Sequence, residues 1–105
     1  MFSVQDIVSK VQAYQPTADV ELIKRAYLFS SKMHHGQLRH SGEPYFVHPT
    51  EVASLVADLR LDAVSVAAGL LHDTIEDTLA TLDELTEMFG EEVANLVDGV
   101  TKLSK

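Results

Sequence analysis

The chain has 105 residues, 46% of them hydrophobic and 23% charged, a composition that builds one globular domain or part of one and excludes a two-domain enzyme. Asp and Glu number 16 against 8 Lys and Arg, and the formal net charge of −8 is the wrong sign for a broad basic face that binds nucleic acid. Cysteine is absent, which removes disulfide frameworks, thiolate zinc sites and cysteine nucleophiles. No stretch approaches about 18 uninterrupted apolar residues, so no membrane span is expected, and Asp6 and Lys10 leave no apolar signal-peptide core, which points to a cytoplasmic protein.

Val4, Ile7, Val8 and Val11 recur at i, i+3, i+4, i+7 and predict a first amphipathic helix over 3–14, stopped by Pro16. Thr17 or Asp19 is placed to cap a second helix over 19–35, which carries Leu22, Ile23, Ala26, Tyr27, Phe29 and Met33 on the pattern and ends at Gly36. Residues 35–49, HGQLRHSGEPYFVHP, hold two glycines, Pro44 and clustered polar groups with no sustained period. They predict a loop of about 12 residues, a length that usually has a function.

Pro49 suits the first position of a helix over 49–59, with His48 at its N-cap and Val52, Leu55, Val56 and Leu59 as its apolar stripe. Asp62 caps a helix over 62–76, whose run AVSVAAGLL over 63–71 should be buried on most sides at the centre of the fold. Thr81 and Glu84 form a capping-box pattern for a short helix over 81–89 ended by Gly90, and Glu91 and Glu92 open a last helix over 91–102. The expected fold is all-α, a compact multi-helix domain with no strand, repeat or linker.

The chemistry is concentrated in His72, Asp73, Glu76 and Asp77. On a continuous helix successive side chains are about 100° apart, so His72 and Asp73 approach one point from adjacent faces, with Glu76 a turn below His72 and Asp77 a turn below Asp73. Imidazole with carboxylate suits a divalent manganese, iron or zinc ion, and two further carboxylates can orient or deprotonate a water there. The plainer reading is a set of solvated residues ending a core helix, with His72 paired to Asp73. His48 shifts the balance, because a third ligand arriving from a separate segment is what a metal site needs.

These residues resemble those of the Rel/Spo alarmone hydrolases, a branch of the HD-domain metal-dependent phosphohydrolases. The likeness runs from about Ala26 to Lys105 and rests on HHGQLRHSGEPYFVHP (34–49), LLHDTIEDT (70–78), FGEEVANLVDGVTKLSK (89–105) and the intervals between them. An HD pair alone is a weak signal, whereas SGEPY and HP followed at that interval by HDxxEDT is specific. The resemblance implies an all-helical enzyme of the stringent response that removes the 3′-pyrophosphate of guanosine tetra- and pentaphosphate, giving GDP or GTP and pyrophosphate with a manganese ion.

It also implies roles. His48, His72 and Asp73 would be metal ligands, and Glu76 and Asp77 the catalytic pair acting on the attacking water. Arg39 would pack on the guanine base, as its planar guanidinium allows, with His40 and Ser41 beside it. For the loop the alternative is a polar turn that needs Gly42 and Pro44 for its backbone, and for His34, which also matches a family position, a packed or solvated histidine. Synthetase-only relatives lose HDxxED; this chain keeps it, which favours hydrolase competence.

Two departures stand out. His40 occupies a position that is usually lysine, which removes a fixed positive charge beside the nucleotide. The family completes its metal site with an aspartate from a helix beyond the TKLSK segment, and the last predicted helix has no stop signal. The chain is therefore expected to be the N-terminal part of a hydrolase domain, truncated at its C-terminus and inactive alone, with synthetase and regulatory domains following in the parent. Two other functions stay open. One is a generic HD phosphohydrolase acting on another nucleotide, against which the SGEPY loop argues. The other is a noncatalytic helical module for regulation or homodimerisation, in which the apolar stripe of residues 3–14 packs on a partner.

Overall fold

Each segment with helical periodicity folds as helix in the computed structural model, which describes residues 1–103. The helices are α1 (Val4–Tyr14), α2 (Val20–Met33), α3 (Val47–Asp58), α4 (Ala63–Leu71), α5 (Thr74–Asp77), α6 (Leu82–Phe89) and α7 (Glu91–Leu103). No strand forms among the described residues; Leu38 and Pro44 make one isolated antiparallel bridge. The fold is all-α, as expected. The last two residues of the 89–105 motif lie outside the described residues.

Local side-chain chemistry starts the helices. Ser3 and Asp6 close a capping box on α1, and Thr81 and Glu84 close another on α6, each satisfying two backbone N–H groups that lack helical partners. Asp19 rather than Thr17 caps α2, accepting from the Leu22 N–H, and Asp62 caps α4 through Ser65 N–H. The apolar run of α4 lies at the centre, packed by α2, α3 and α7, with Val66, Ala67, Leu70 and Leu71 fully or almost fully buried. Ile7, Val8 and Val11 of α1 belong to the same core, so this stripe is covered by the chain itself. Gly69 and Ala53 bring α4 and α3 close together, since a methyl at Gly69 would stand 3.5 Å from the Ala53 Cα.

Three boundaries differ from expectation. The helix expected over 62–76 breaks after Leu71 and restarts at Thr74. The side chains of His72 and Thr74 take the Gly69 and Leu71 carbonyls at 2.7 and 2.8 Å and so compete with the backbone ladder. Helix α3 starts at Val47, so His48 is a first-turn residue and not the N-cap; Pro49 is tolerated there because first-turn N–H groups have no helical acceptor. Helix α2 ends at Met33 with His34 as its cap, and Gly36 takes a left-handed φ of +82° in the turn beyond.

The loop between α2 and α3 is more ordered than its sequence texture implies. Tyr45 N–H donates to Gln37 C=O and Arg39 N–H to Glu43 C=O, both at 2.8 Å, and Gly42 turns the tip at a φ of +87°. This closed loop returns the chain to the start of α3 and fixes where His48 enters.

Arg60 ends α3 with a φ of +60°, the position usually given to glycine. Its N–H bonds to Ala57 C=O while Leu61 N–H bonds to Val56 C=O, the paired closure of a Schellman motif. A side chain there costs about 1 kcal/mol. Arg60→Gly should therefore raise unfolding stability by roughly 0.5–1 kcal/mol, read as a higher urea midpoint at unchanged slope.

Candidate metal centre

Three segments meet at one point: the first turn of α3 brings His48, the break after α4 brings His72 and Asp73, and the loop ahead of α3 brings Tyr45. His72 Nε2 lies 3.0 Å and His48 Nε2 3.6 Å from the same oxygen, Asp73 Oδ2. One donor atom from each of the three residues falls within 4.8 Å of the other two. The two imidazole rings meet edge to face with centroids 5.3 Å apart. His72 and Asp73 are 16% and 19% exposed, shielded but reachable.

The backbone sets the direction of His72. Its Nδ1 stands 2.7 Å from the Gly69 carbonyl, which can only accept, so Nδ1 carries a proton and Nε2 turns toward Asp73. A neutral imidazole held this way offers its Nε2 lone pair to a cation. Two imidazole nitrogens and a carboxylate oxygen, with one ring fixed through a backbone carbonyl, form a donor set that fits a borderline divalent ion.

Electrostatics within the group are strong. Burial pushes the His72 pKa down, but its bonds to Asp73 and to the Gly69 carbonyl outweigh this and hold it above the ordinary 6.5. Burial pushes Asp73 up, and the hydrogen bond and charge of His72 outweigh that, holding its carboxyl below the ordinary 3.8. Tyr45 is driven well above the usual phenol range, by burial first and then by its bond to Asp77 and the charge of Asp73.

The remaining residues picked from sequence fall around this centre in different ways. Asp77 is joined to it, since the Tyr45 hydroxyl lies 2.9 Å from Asp77 Oδ2 and 3.0 Å from Asp73 Oδ2. Glu76 is exposed and lines an open cleft of about 430 Å³ with Lys32, Gln37, Asp77 and Thr78. Arg39, His40 and Ser41 do not reach the three donors; with Leu38 and Tyr45 they line an open cavity of about 630 Å³. The Arg39 guanidinium meets Glu43 only at 4.0 Å, an exposed pair of little worth that leaves it available to a ligand. His34 is a buried, packed histidine, stacked on the Tyr45 ring at a centroid distance of 5.0 Å with Nδ1 2.8 Å from Gln37 Oε1.

Sequence reasoning passes over Tyr45 and Gln37. Tyr45 stands inside the SGEPY motif three residues before His48, and a phenol hydroxyl next to a ligand-bearing helix start was the available signal. Gln37 carries no such signal; its bond to the Asp77 carbonyl depends wholly on how the loop closes.

A model of the HD domain matches residues 26–105. The chain belongs to the HD domain family. It is 65% identical over 95 residues to a GTP pyrophosphokinase of Myxococcus xanthus, covering 90% of this chain and 12% of that protein. It is 46% identical over 105 residues to the GTP pyrophosphokinase rsh of Brucella melitensis biotype 1, covering all of this chain and 14% of that one. It is 43% identical over 105 residues to the bifunctional (p)ppGpp synthase/hydrolase SpoT of Escherichia coli K12, covering 15% of its length. The relatives are RelA/SpoT-type proteins, as the loop and HDTIEDT motifs implied, and this HD domain chain spans about 12 to 15% of their length. HD domains are metal-dependent, which accords with the His–His–Asp group. Among the described residues no helix is long and apolar enough to cross a membrane.

The two pKa directions fix a pH window for the metal-free HD domain. The raised His72 contributes stability that is complete below 6.5 and lost as pH rises through its folded value; the lowered Asp73 contributes stability that is complete above 3.8 and lost as pH falls. In the presence of a chelator, the stability advantage of the wild type over Asp73→Asn should be largest between these values and shrink on either side. Urea midpoints across a pH series read it directly.

Proposed function

We propose that this HD domain is the hydrolase unit of a RelA/SpoT-type protein, a manganese-dependent pyrophosphohydrolase acting on the 3′-diphosphate of guanosine tetra- and pentaphosphate. The observation that carries this reading is the convergence of His48, His72 and Asp73 within 4.8 Å, with Asp77 tied to the same group. The guanosine nucleotides on which the relatives are named as acting support the nucleotide class.

His48 Nε2, His72 Nε2 and an Asp73 carboxylate oxygen are the atoms that would hold the ion. A cation held there would supply Lewis-acid polarisation of the phosphoryl group and neutralise part of its charge. A countercharge of that kind is needed, because the chain carries a net −8 and the substrate is a polyanion. Glu76 and Asp77 are the pair that would act on the attacking water: Asp77, joined to Asp73 through the Tyr45 hydroxyl, as proton acceptor, and Glu76, in the cleft that Asp77 also lines, in orienting that water. Lys32 in the same cleft offers one local positive charge to the departing pyrophosphate.

Arg39, His40 and Ser41 form the wall on which the guanine would rest, Arg39 by stacking its guanidinium on the base. On this reading the parent would carry synthetase and regulatory domains, for which the length of the relatives leaves room, and would act in the cytoplasm.

The test is anion-exchange analysis of guanosine tetraphosphate incubated with the protein at its natural length and manganese. Formation of GDP and pyrophosphate, abolished by a chelator, is the expected result; equal turnover of a panel of unrelated nucleotides would favour the generic phosphohydrolase instead. Asp73→Asn should weaken manganese binding measured by calorimetry. Glu76→Gln and Asp77→Asn should retain the metal and lower kcat by about 100- to 10,000-fold. Arg39→Ala should raise KM by roughly 2- to 30-fold, with manganese affinity unchanged.

A further inference from the structure

Tyr45 stands between the two halves of this site, and its surroundings leave it little freedom. Its ring is stacked on buried His34 with an interplanar angle of 25°, and meets His48 edge-on at 6.2 Å. Its backbone N–H is tied to Gln37 C=O at 2.8 Å. Gln37 also accepts from His34 at Oε1 and donates from Nε2 to the Asp77 carbonyl. A closed circuit results: His34 holds the Tyr45 ring and Gln37, Gln37 holds the backbone of Asp77, and Tyr45 holds its side chain.

The hydroxyl at the end of that ring has one proton and two carboxylate oxygens within 3.0 Å of it. It can donate to only one of them at a time, and either bond offsets part of the repulsion between two carboxylates whose residues the Asp77 N–H bond to Asp73 C=O at 3.0 Å already holds one turn apart. Asp73 is one of the three candidate metal donors and Asp77 the candidate proton acceptor, and this oxygen is the side-chain group that both carboxylates contact.

We propose that the Tyr45 hydroxyl is a positioning group that aligns Asp73 for the metal and Asp77 for the attacking water, through a phenol held rigid by the His34–Gln37 circuit. The proposal rests on the metal-dependent hydrolase reading above. It assigns Tyr45 no contact with the reacting atoms; the hydroxyl acts through the two carboxylates. Since Tyr45 also lines the Arg39 cavity, the loop that receives the base and the carboxylates that serve the phosphate are set by one side chain.

Tyr45→Phe removes the hydroxyl and keeps the ring, its stacking on His34 and its wall of the cavity. In the protein at its natural length, manganese alone should bind about tenfold more weakly to this variant by calorimetry. With manganese saturating, kcat should fall about 10- to 100-fold while KM for guanosine tetraphosphate stays within about twofold. The melting temperature in chelator should move by no more than about 2 °C, since an oxygen at a partly exposed site carries little of the fold. Equal manganese affinity in the two proteins overturns the positioning role and leaves the metal site standing. A melting temperature that falls together with the affinity shows a structural hydroxyl and also overturns it. Failure of the wild type to bind manganese removes the hydrolase reading itself, and the proposal with it.

Discussion

The site depends on where α4 stops. An apolar helix whose residues Val66, Ala67, Leu70 and Leu71 are wholly enclosed cannot carry ionised side chains onward in the same direction without burying them. The His72 Nδ1 bond to Gly69 C=O and the Thr74 hydroxyl bond to Leu71 C=O divert the backbone at that point. Both bonds do two jobs at once: they satisfy carbonyls that lose their helical donors, and they rotate the side chains of His72 and Asp73 to the rim of the core. Beyond the break Asp73 and Asp77 lie one helical turn apart, joined by the Asp77 N–H bond to Asp73 C=O at 3.0 Å, and both side chains meet a hydroxyl contributed by a different segment.

His72 also has contrasting neighbours. One side faces the Asp73 carboxylate, and the other lines an apolar groove of about 240 Å³ with Val52, Val56, Ala68, Gly69 and Leu96. Apolar walls keep water away from the ring and strengthen each polar contact that it retains, which is why a single carboxylate and a single carbonyl outweigh its burial. The same low-dielectric surroundings increase the attraction of the group for a cation once the imidazole is neutral. On the metal-binding reading proposed above, ion pairing without the ion and ligation with it are two uses of one arrangement.

Much of this was legible in the sequence. Caps at Asp62 and Thr81, Asp19 as one of two candidates for α2, and the apolar run of α4 follow from short-range rules, and the structure bears them out because each cap is a bond within three residues; Ser3, read as the first residue of its helix, is instead the cap of α1. The approach of His48 to His72 and Asp73 was legible only as a spacing. Its realisation needs the close packing of α3 on α4 that Gly69 and Ala53 permit. The break at 72–73 was not legible, because residues 72–77 are compatible with helix in their propensities and the deciding bonds are side chain to backbone. Nor was the order of the 35–46 loop, whose polar, glycine-bearing sequence conceals a closed set of backbone bonds.

The loop carries more of the mechanism than its composition implies. Charge alone cannot assemble this site: Asp73, Glu76 and Asp77 repel one another, and the chain has a large excess of acid. The geometry is imposed by neutral groups instead, namely the Gly69 carbonyl, the Gln37 amide and the Tyr45 phenol, each held by packing or backbone bonds that do not depend on the ionic state of the site. Neutral supports of this kind keep their positions whether the carboxylates face a proton, a cation or water. That independence suits the hydrolytic centre proposed above, where charges would change during turnover while the distances between them stay fixed.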